Sequence, residues 1–168
     1  AGRQIDMRTV KLTEDKVNDF REYYNKYAKE QDESFPVGDD YGVKEDEAVY
    51  LLLDESGNIH GAAALLLKKE YLEIKEARFR FFHCIQKSRE HYGMLLNEIL
   101  KYTSALNSIY GFMEDTFTDA AKAWEELGFK KRRFTWILER ESDNAPEAKF
   151  PEGYELRTMR DGIDENAW

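Results

Sequence analysis

Two apolar runs joined by a short polar loop constrain this chain more than any other feature. Val49–Leu53 and Ile59–Leu67 both read as strands, and the loop Asp54-Glu55-Ser56-Gly57-Asn58 between them carries a Gly and an Asn that tolerate positive φ. An antiparallel hairpin is expected, and the remaining elements must pack around it. A third run, Leu72–Ile85, has Phe79 and Phe81 on one face with Arg78, Arg80 and Phe82 on the other, and is expected to extend the same sheet.

Helical spacing brackets these strands. A strand over Ile5–Leu12 is followed by Thr13 as an N-cap, with Glu14 and Asp15 at the positive end of the helix dipole. Val17, Phe20, Tyr24, Tyr27 and Ala28 then recur on one helical face. After the third run, Ser88 caps a long helix whose buried stripe is Tyr92, Leu95, Leu96, Ile99, Leu100 and Thr103. Ile109–Met113 reads as a short strand. Thr118 is expected to cap a further helix with Ala120, Ala123, Trp124 and Leu127 inside, and Gly128 stops it where a left-handed residue is wanted. Phe129 opens a last strand ending near Glu139. The predicted order is β α β β β α β α β.

Ile5-Asp6-Met7-Arg8-Thr9-Val10 is echoed by the strand-like Tyr154-Glu155-Leu156-Arg157-Thr158-Met159, which lies about one domain's length further along the chain. The expected organisation is a domain over residues 1–142, a polar, proline-bearing linker over 143–152, and the start of a second, similar domain over 153–168.

Composition narrows the function. The 42% hydrophobic content can fill a sizeable core, so the 35% charged fraction belongs on a solvated surface. A net charge of −9 repels phosphate backbones, and the one dense basic cluster, Lys130–Arg133, suits the edge of a strand; nucleic acid is not an expected partner. The longest small-and-apolar run, Gly61–Leu67, is too short to span a bilayer, so no membrane partner is expected. A single cysteine, Cys84, excludes an internal disulfide framework and fits a cytoplasmic location. No His or Cys pair has metal spacing, no Gly-rich loop ends in Lys-Ser or Lys-Thr, and no Gly-x-Ser-x-Gly elbow occurs.

The order of elements, with the late helix Ala120-Ala121-Lys122-Ala123-Trp124-Glu125-Glu126-Leu127 closed by Gly128-Phe129, resembles the GCN5-related N-acetyltransferase family from Ile5 to about Arg140. The resemblance implies an α/β fold of acyl-CoA N-acyltransferase type: a mixed, largely antiparallel central sheet with helices on both faces. It implies acetyl-CoA as cofactor, a small-molecule amine as acceptor, and, from the echo, a second domain of the same kind in the same chain as partner. By that resemblance Phe82, His83 and Cys84 line the pantetheine arm through their backbone, while Lys87, Ser88, Arg89 and Gly93 lie at the pyrophosphate, where helix N-terminal amides and the dipole favour an anion. His83 and Cys84 are equally readable as ordinary sheet packing.

The stretch Gln86-Lys87-Ser88-Arg89-Glu90-His91-Tyr92-Gly93 departs from the family's Arg/Gln-x-x-Gly-x-Gly/Ala pattern. A register starting at Lys87 puts Glu90 and Tyr92 on the glycine positions, and both are expected to obstruct a pyrophosphate. Amine acetylation needs a base and an acid. Glu73 or Glu76 is the candidate base, on the strand where the family carries a glutamate. Trp124 stands where the family has its acidic tyrosine, and an indole N–H is no acid at neutral pH, so Tyr110 is the candidate substitute. The acidic run from Glu30 to Glu47 is expected to form an acceptor wall that concentrates cationic amines. Two readings follow: an acyl-CoA-dependent N-acetyltransferase of a small amine, or a catalytically degenerate domain of that fold with a structural or substrate-shaping role in a tandem protein.

Overall fold

A computed structural model describes residues 6–32, 34–136, 147 and 149–164. The chain divides into two units, Ala1–Lys131 and Arg132–Trp168. The described residues of the second unit form neither helix nor strand, so the expected strand at Tyr154–Met159 is absent. Of the expected linker, residues 143–146 and 148 lie outside the described residues.

The first unit is built on the expected hairpin. Strand β1 (Arg8–Lys11) precedes a 3₁₀ turn (Glu14–Lys16), helix α1 (Val17–Tyr27) and a second 3₁₀ turn (Ala28–Glu30). Then follow β2 (Glu47–Leu53), β3 (Ile59–Leu66), a one-turn helix α2 (Lys69–Glu73) and β4 (Glu76–Cys84). Helix α3 (Arg89–Leu100), β5 (Ser108–Tyr110) and α4 (Thr118–Glu126) complete it. The five strands lie in the order β1-β2-β3-β4-β5, all antiparallel except the parallel pair β4/β5.

Both sheet faces are covered, and side-chain alternation explains why β2 and β3 are apolar on both faces apart from Glu47 and His60 near their starts. Leu52, Ala63, Leu65, Phe79, Phe82 and Cys84 point toward α3 and α4, where Tyr92, Leu95, Ile99, Ala123 and Trp124 meet them. Leu51, Leu53, Ala62, Ala64 and Phe81 point the other way, onto Phe20, Tyr23 and Tyr24 of α1.

Five expectations are corrected. Leu72–Ile85 is not one strand: its first residues belong to α2, and Lys75 turns the chain with φ of 56° before β4 starts. Phe79 and Phe81 do not share a face. The β3/β4 register shifts between Ala64 and Leu65, so Phe79 pairs with Leu65 while Phe81 pairs with Ala64, and the extra residue, Arg80, reverses the parity of the strand. The last strand expected from Phe129 is absent over 129–136, and 137–139 lie outside the described residues. Thr118 is the first residue of α4, not its cap, and Thr13 makes no capping hydrogen bond from its side chain. Ser88 does cap α3, and Gly128 takes φ of 95° just after α4.

Candidate functional site

The site begins where β4 loses its neighbour. β5 pairs with β4 only at Glu76↔Ser108, Ala77↔Ile109 and Arg78↔Tyr110, after which the two strands part. From Phe79 to Cys84 the outer edge of β4 has no partner strand among the described residues. In an antiparallel pair alternate residues turn their N–H groups outward. Ile85 donates inward to His60 O at 2.8 Å, which leaves the N–H groups of Phe82 and Cys84 facing the open edge. Gln31 Oε1 accepts from Phe82 N–H at 3.3 Å.

The edge leads to the start of α3. Ser88 adopts extended backbone angles, and its hydroxyl accepts from His91 N–H at 3.3 Å while its carbonyl accepts from Tyr92 N–H at 3.2 Å. The N–H groups of Arg89 and Glu90, the first two of the helix, have no hydrogen-bond partner among the described residues. The corner is open: Arg89 and Glu90 are exposed, and Lys87 and Ser88 are half-buried. Tyr92, expected to block this corner, turns inward instead and is fully buried against Phe82 and Trp124. A groove of about 450 Å³ lies here, with Lys87, Ser88 and Arg89 on one wall and Asp119, Lys122 and Glu126 on the other. A second, of about 530 Å³, passes Arg89, Glu90, Gly93 and Asn97.

The fork between β4 and β5 is filled by Trp124. A Cβ on Gly111 would lie 2.8 Å from the Trp124 ring, so only glycine admits the indole there. Phe82 and Phe129 pack on the same ring with centroids 5.0 and 5.1 Å away. The Trp124 indole N–H and the Cys84 N–H both face the buried Tyr92 hydroxyl. Burial pushes the Tyr92 hydroxyl up.

His83 is the buried polar centre of the other face. Its ring stacks on Tyr27, its Nδ1 lies 2.7 Å from the Tyr23 hydroxyl and its Nε2 lies 2.9 Å from Glu30 Oε2. Lys87 Nζ donates to Glu30 Oε2 at 2.6 Å and also contacts His83 Nε2. Burial, reinforced by the Lys87 charge, pushes His83 down to about 4 against the opposing pull of Glu30. Burial would raise the Glu30 carboxyl, but the hydrogen bonds from Lys87 and His83 outweigh it and hold it low.

This gives a pH prediction. Below the ordinary histidine value the unfolded chain takes up a proton that folded His83 refuses, so stability contributed by neutral His83 is complete above about pH 6.5 and is lost as pH falls toward 4. The loss is expected to be about 3 kcal/mol, and urea titrations across that range should show a shallower pH slope in His83→Gln than in the parent. Equal slopes would show that His83 protonates freely in the folded state.

The candidate catalytic residues are spread out. Glu73 is not on a strand: it is exposed on α2, with its carboxylate 3.6 Å from Lys69 Nζ. Glu76 opens β4, and its Oε1 accepts from the Ser108 hydroxyl at 3.1 Å. Tyr110 lies opposite Arg78 at the fork and meets Phe112 edge-on. Opposed residues share a face, so Glu76, Arg78, Ser108 and Tyr110 line one side of the β4/β5 junction. Cys84 is fully buried, and burial pushes its thiol up; Gly93 lies within 3.4 Å of Leu127, counted from where a Cβ would stand.

Four residues of the acidic run are not free to form an acceptor wall. Glu30 is paired with Lys87, Asp32 with Arg78, Asp39 with Arg21 and Glu47 with Arg80, so these carboxylates tie the loop to β4 and α1. Glu30, Gln31 and Asp32 were not expected as neighbours of β4. The available signal was Arg78 and Arg80 inside an otherwise apolar strand, because buried guanidinium groups require acidic partners.

No group of His, Cys, Asp and Glu among the described residues could hold a metal ion, and no described helix is long and apolar enough to cross a membrane. No protein-family model and no curated protein matches the sequence. Solved structures do. An aminoglycoside N-acetyltransferase in complex with CoA is similar over 84% of this chain and 99% of its own, at 11% identity and a TM-score of 0.60. An acetyltransferase of the GNAT family from Staphylococcus aureus matches over 76% of this chain and 87% of its own, at 14% identity and a TM-score of 0.57. A ribosomal-protein-alanine N-acetyltransferase from Brucella melitensis matches over 80% of this chain and 100% of its own, at 11% identity and a TM-score of 0.56. The forked five-stranded sheet with helices on both faces is thus the acyl-CoA N-acyltransferase-like fold of the GCN5-related acetyltransferases.

Proposed function

We propose that this chain is an acyl-CoA-dependent N-acetyltransferase acting on a small amine. The reading is carried by the open edge of β4, which runs from the fork directly to the uncovered first turn of α3. Acetyl-CoA fits this path by the chemistry of the donors along it. Its phosphates would be held by the N–H groups of Arg89 and Glu90 with the cations of Lys87, Arg89 and Lys122. Its arm carries amide carbonyls, and the outward N–H groups of Phe82 and Cys84 are donors along this edge; the Gln31 side-chain carbonyl now occupies the Phe82 N–H as an arm carbonyl would. Bound there, the cofactor supplies an activated acetyl thioester.

The remaining chemistry falls to this chain. Glu76 is the proposed group that accepts the amine's proton, and Tyr110, beside the fork, the one that returns a proton to the leaving thiolate. The acceptor approaches from the α1 side, where Arg78 and Arg80 are already neutralised by Asp32 and Glu47.

One observation favours a second reading, a non-catalytic half of a tandem protein paired with another domain of this kind: Trp124 fills the fork and offers no acid. Acetyl-CoA titrated into the full chain by calorimetry, followed by thiol release with a panel of small amines, separates the two. Saturable heat with thiol release is expected. Saturable heat without release from any amine, or no heat at millimolar acetyl-CoA, would leave only the second reading.

A further inference from the structure

Glu30, Gln31 and Asp32 lay their side chains in sequence order along the edge of β4 that lacks a partner strand. Glu30 Oε2 accepts from Lys87 Nζ at 2.6 Å, just beyond the end of β4. Gln31 Oε1 accepts from Phe82 N–H at 3.3 Å, in the middle of the edge. Asp32 pairs with Arg78 at the fork, and both side chains are only 14% exposed. These contacts therefore run antiparallel to β4 over the length that the proposed ligand would follow. Gln31 is fixed in turn, because its Nε2 donates to Glu30 O at 2.7 Å. Phe35, just past this stretch, stacks on the Arg78 guanidinium at 4.8 Å and holds the same loop down.

The chemistry of Glu30 and Gln31 matches that of the ligand. At the α3 end the Glu30 carboxylate engages Lys87 as a phosphate would, and in the middle of the edge a side-chain amide carbonyl engages a backbone N–H as an arm carbonyl would, while the Asp32–Arg78 pair anchors the segment at the fork. We propose that Glu30-Gln31-Asp32 is an internal strap, anchored at Arg78, that competes with acyl-CoA for Lys87 and the Phe82 N–H, so that the site loads only when the strap lifts. This inference rests on the acyl-CoA reading above. A site whose competent state is mostly closed binds more weakly by the open fraction, so a strap that is down about nine-tenths of the time weakens apparent affinity about tenfold.

The test is calorimetric titration of the full chain with acetyl-CoA, comparing the parent, Gln31→Ala, the triple variant E30Q/Q31A/D32N, and Asp39→Asn. The last breaks the Arg21 tether away from β4. Amide hydrogen exchange at Phe82 is read in parallel without ligand. Expected are faster Phe82 exchange in Gln31→Ala, binding about tenfold tighter in the triple variant with Gln31→Ala between, and no change in Asp39→Asn. Should the triple variant fail to fold, Gln31→Ala alone decides. Saturable binding of equal or lower affinity in the strap variants overturns the strap and leaves the acyl-CoA reading standing. No heat from any variant, in folded protein whose Phe82 exchange has risen, overturns the acyl-CoA reading and the strap with it.

Discussion

Replacing Glu47 with alanine is expected to lose about 3–5 kcal/mol of stability. Its carboxylate is almost wholly enclosed, with the side chain 1% exposed, and meets Arg80 Nε at 2.6 Å and Nη2 at 3.4 Å. Arg80 Nη1 donates to the carbonyls of Phe35 and Pro36 at 2.8 and 3.3 Å, and its guanidinium lies over the rings of Phe35 and Tyr41. Removing Glu47 strands that cation inside the protein with only neutral acceptors. The effect is one of an uncompensated charge, so the double variant Glu47→Leu, Arg80→Met should recover most of the loss even though it has no ion pair. Urea unfolding at neutral pH reads both. A single variant within about 1 kcal/mol of the parent would show that the pair is solvated.

The second large effect is expected at Trp124, where truncation to alanine should lose about 3–5 kcal/mol as the contacts with Phe82, Phe129 and Tyr92 are replaced by a cavity. Gly111→Ala should lose about 1–3 kcal/mol, because the new methyl meets the indole at 2.8 Å and the ring is confined by its neighbours. The two losses should not add. Once the indole is gone the nearest remaining neighbour of the added methyl is Phe79 Cβ, at an ordinary 3.5 Å, so the double variant should be more stable than the sum of the singles implies. Strict additivity in a double-mutant cycle would mean that the fork is not filled by Trp124.

Elements whose order is set locally were legible in the sequence. The hairpin, the Ser88 cap with Tyr92, Leu95, Leu96 and Ile99 of the α3 stripe behind it, and the left-handed Gly128 each depend on residues within a few positions of one another, whereas Leu100 of that stripe is exposed and Thr103 lies past the helix end. What failed depends on partners distant in sequence. The parity of β4 is set by its register on β3, where the extra residue at Arg80 sends Phe79 to one core and Phe81 to the other. A strand exists only by pairing, and the strand expected from Phe129 does not form over 129–136. Tyr92 was misjudged for a related reason: its position in the phosphate motif is local, but its direction is fixed by the aromatic pocket that Phe82 and Trp124 build. The acidic residues from Glu30 to Glu47 were visible as charge, and only the fold assigns four of them to particular cations.

The account depends on the open edge of β4 and the first turn of α3 forming one ligand site. Backbone amide resonances of the full chain, followed while acetyl-CoA is added, test this most directly. The account predicts that the largest shifts fall on Arg89 and Glu90, with Phe82 and Cys84 following at the same ligand concentrations. Saturable binding that leaves those four amides unmoved, with shifts gathered elsewhere in the chain, would contradict it.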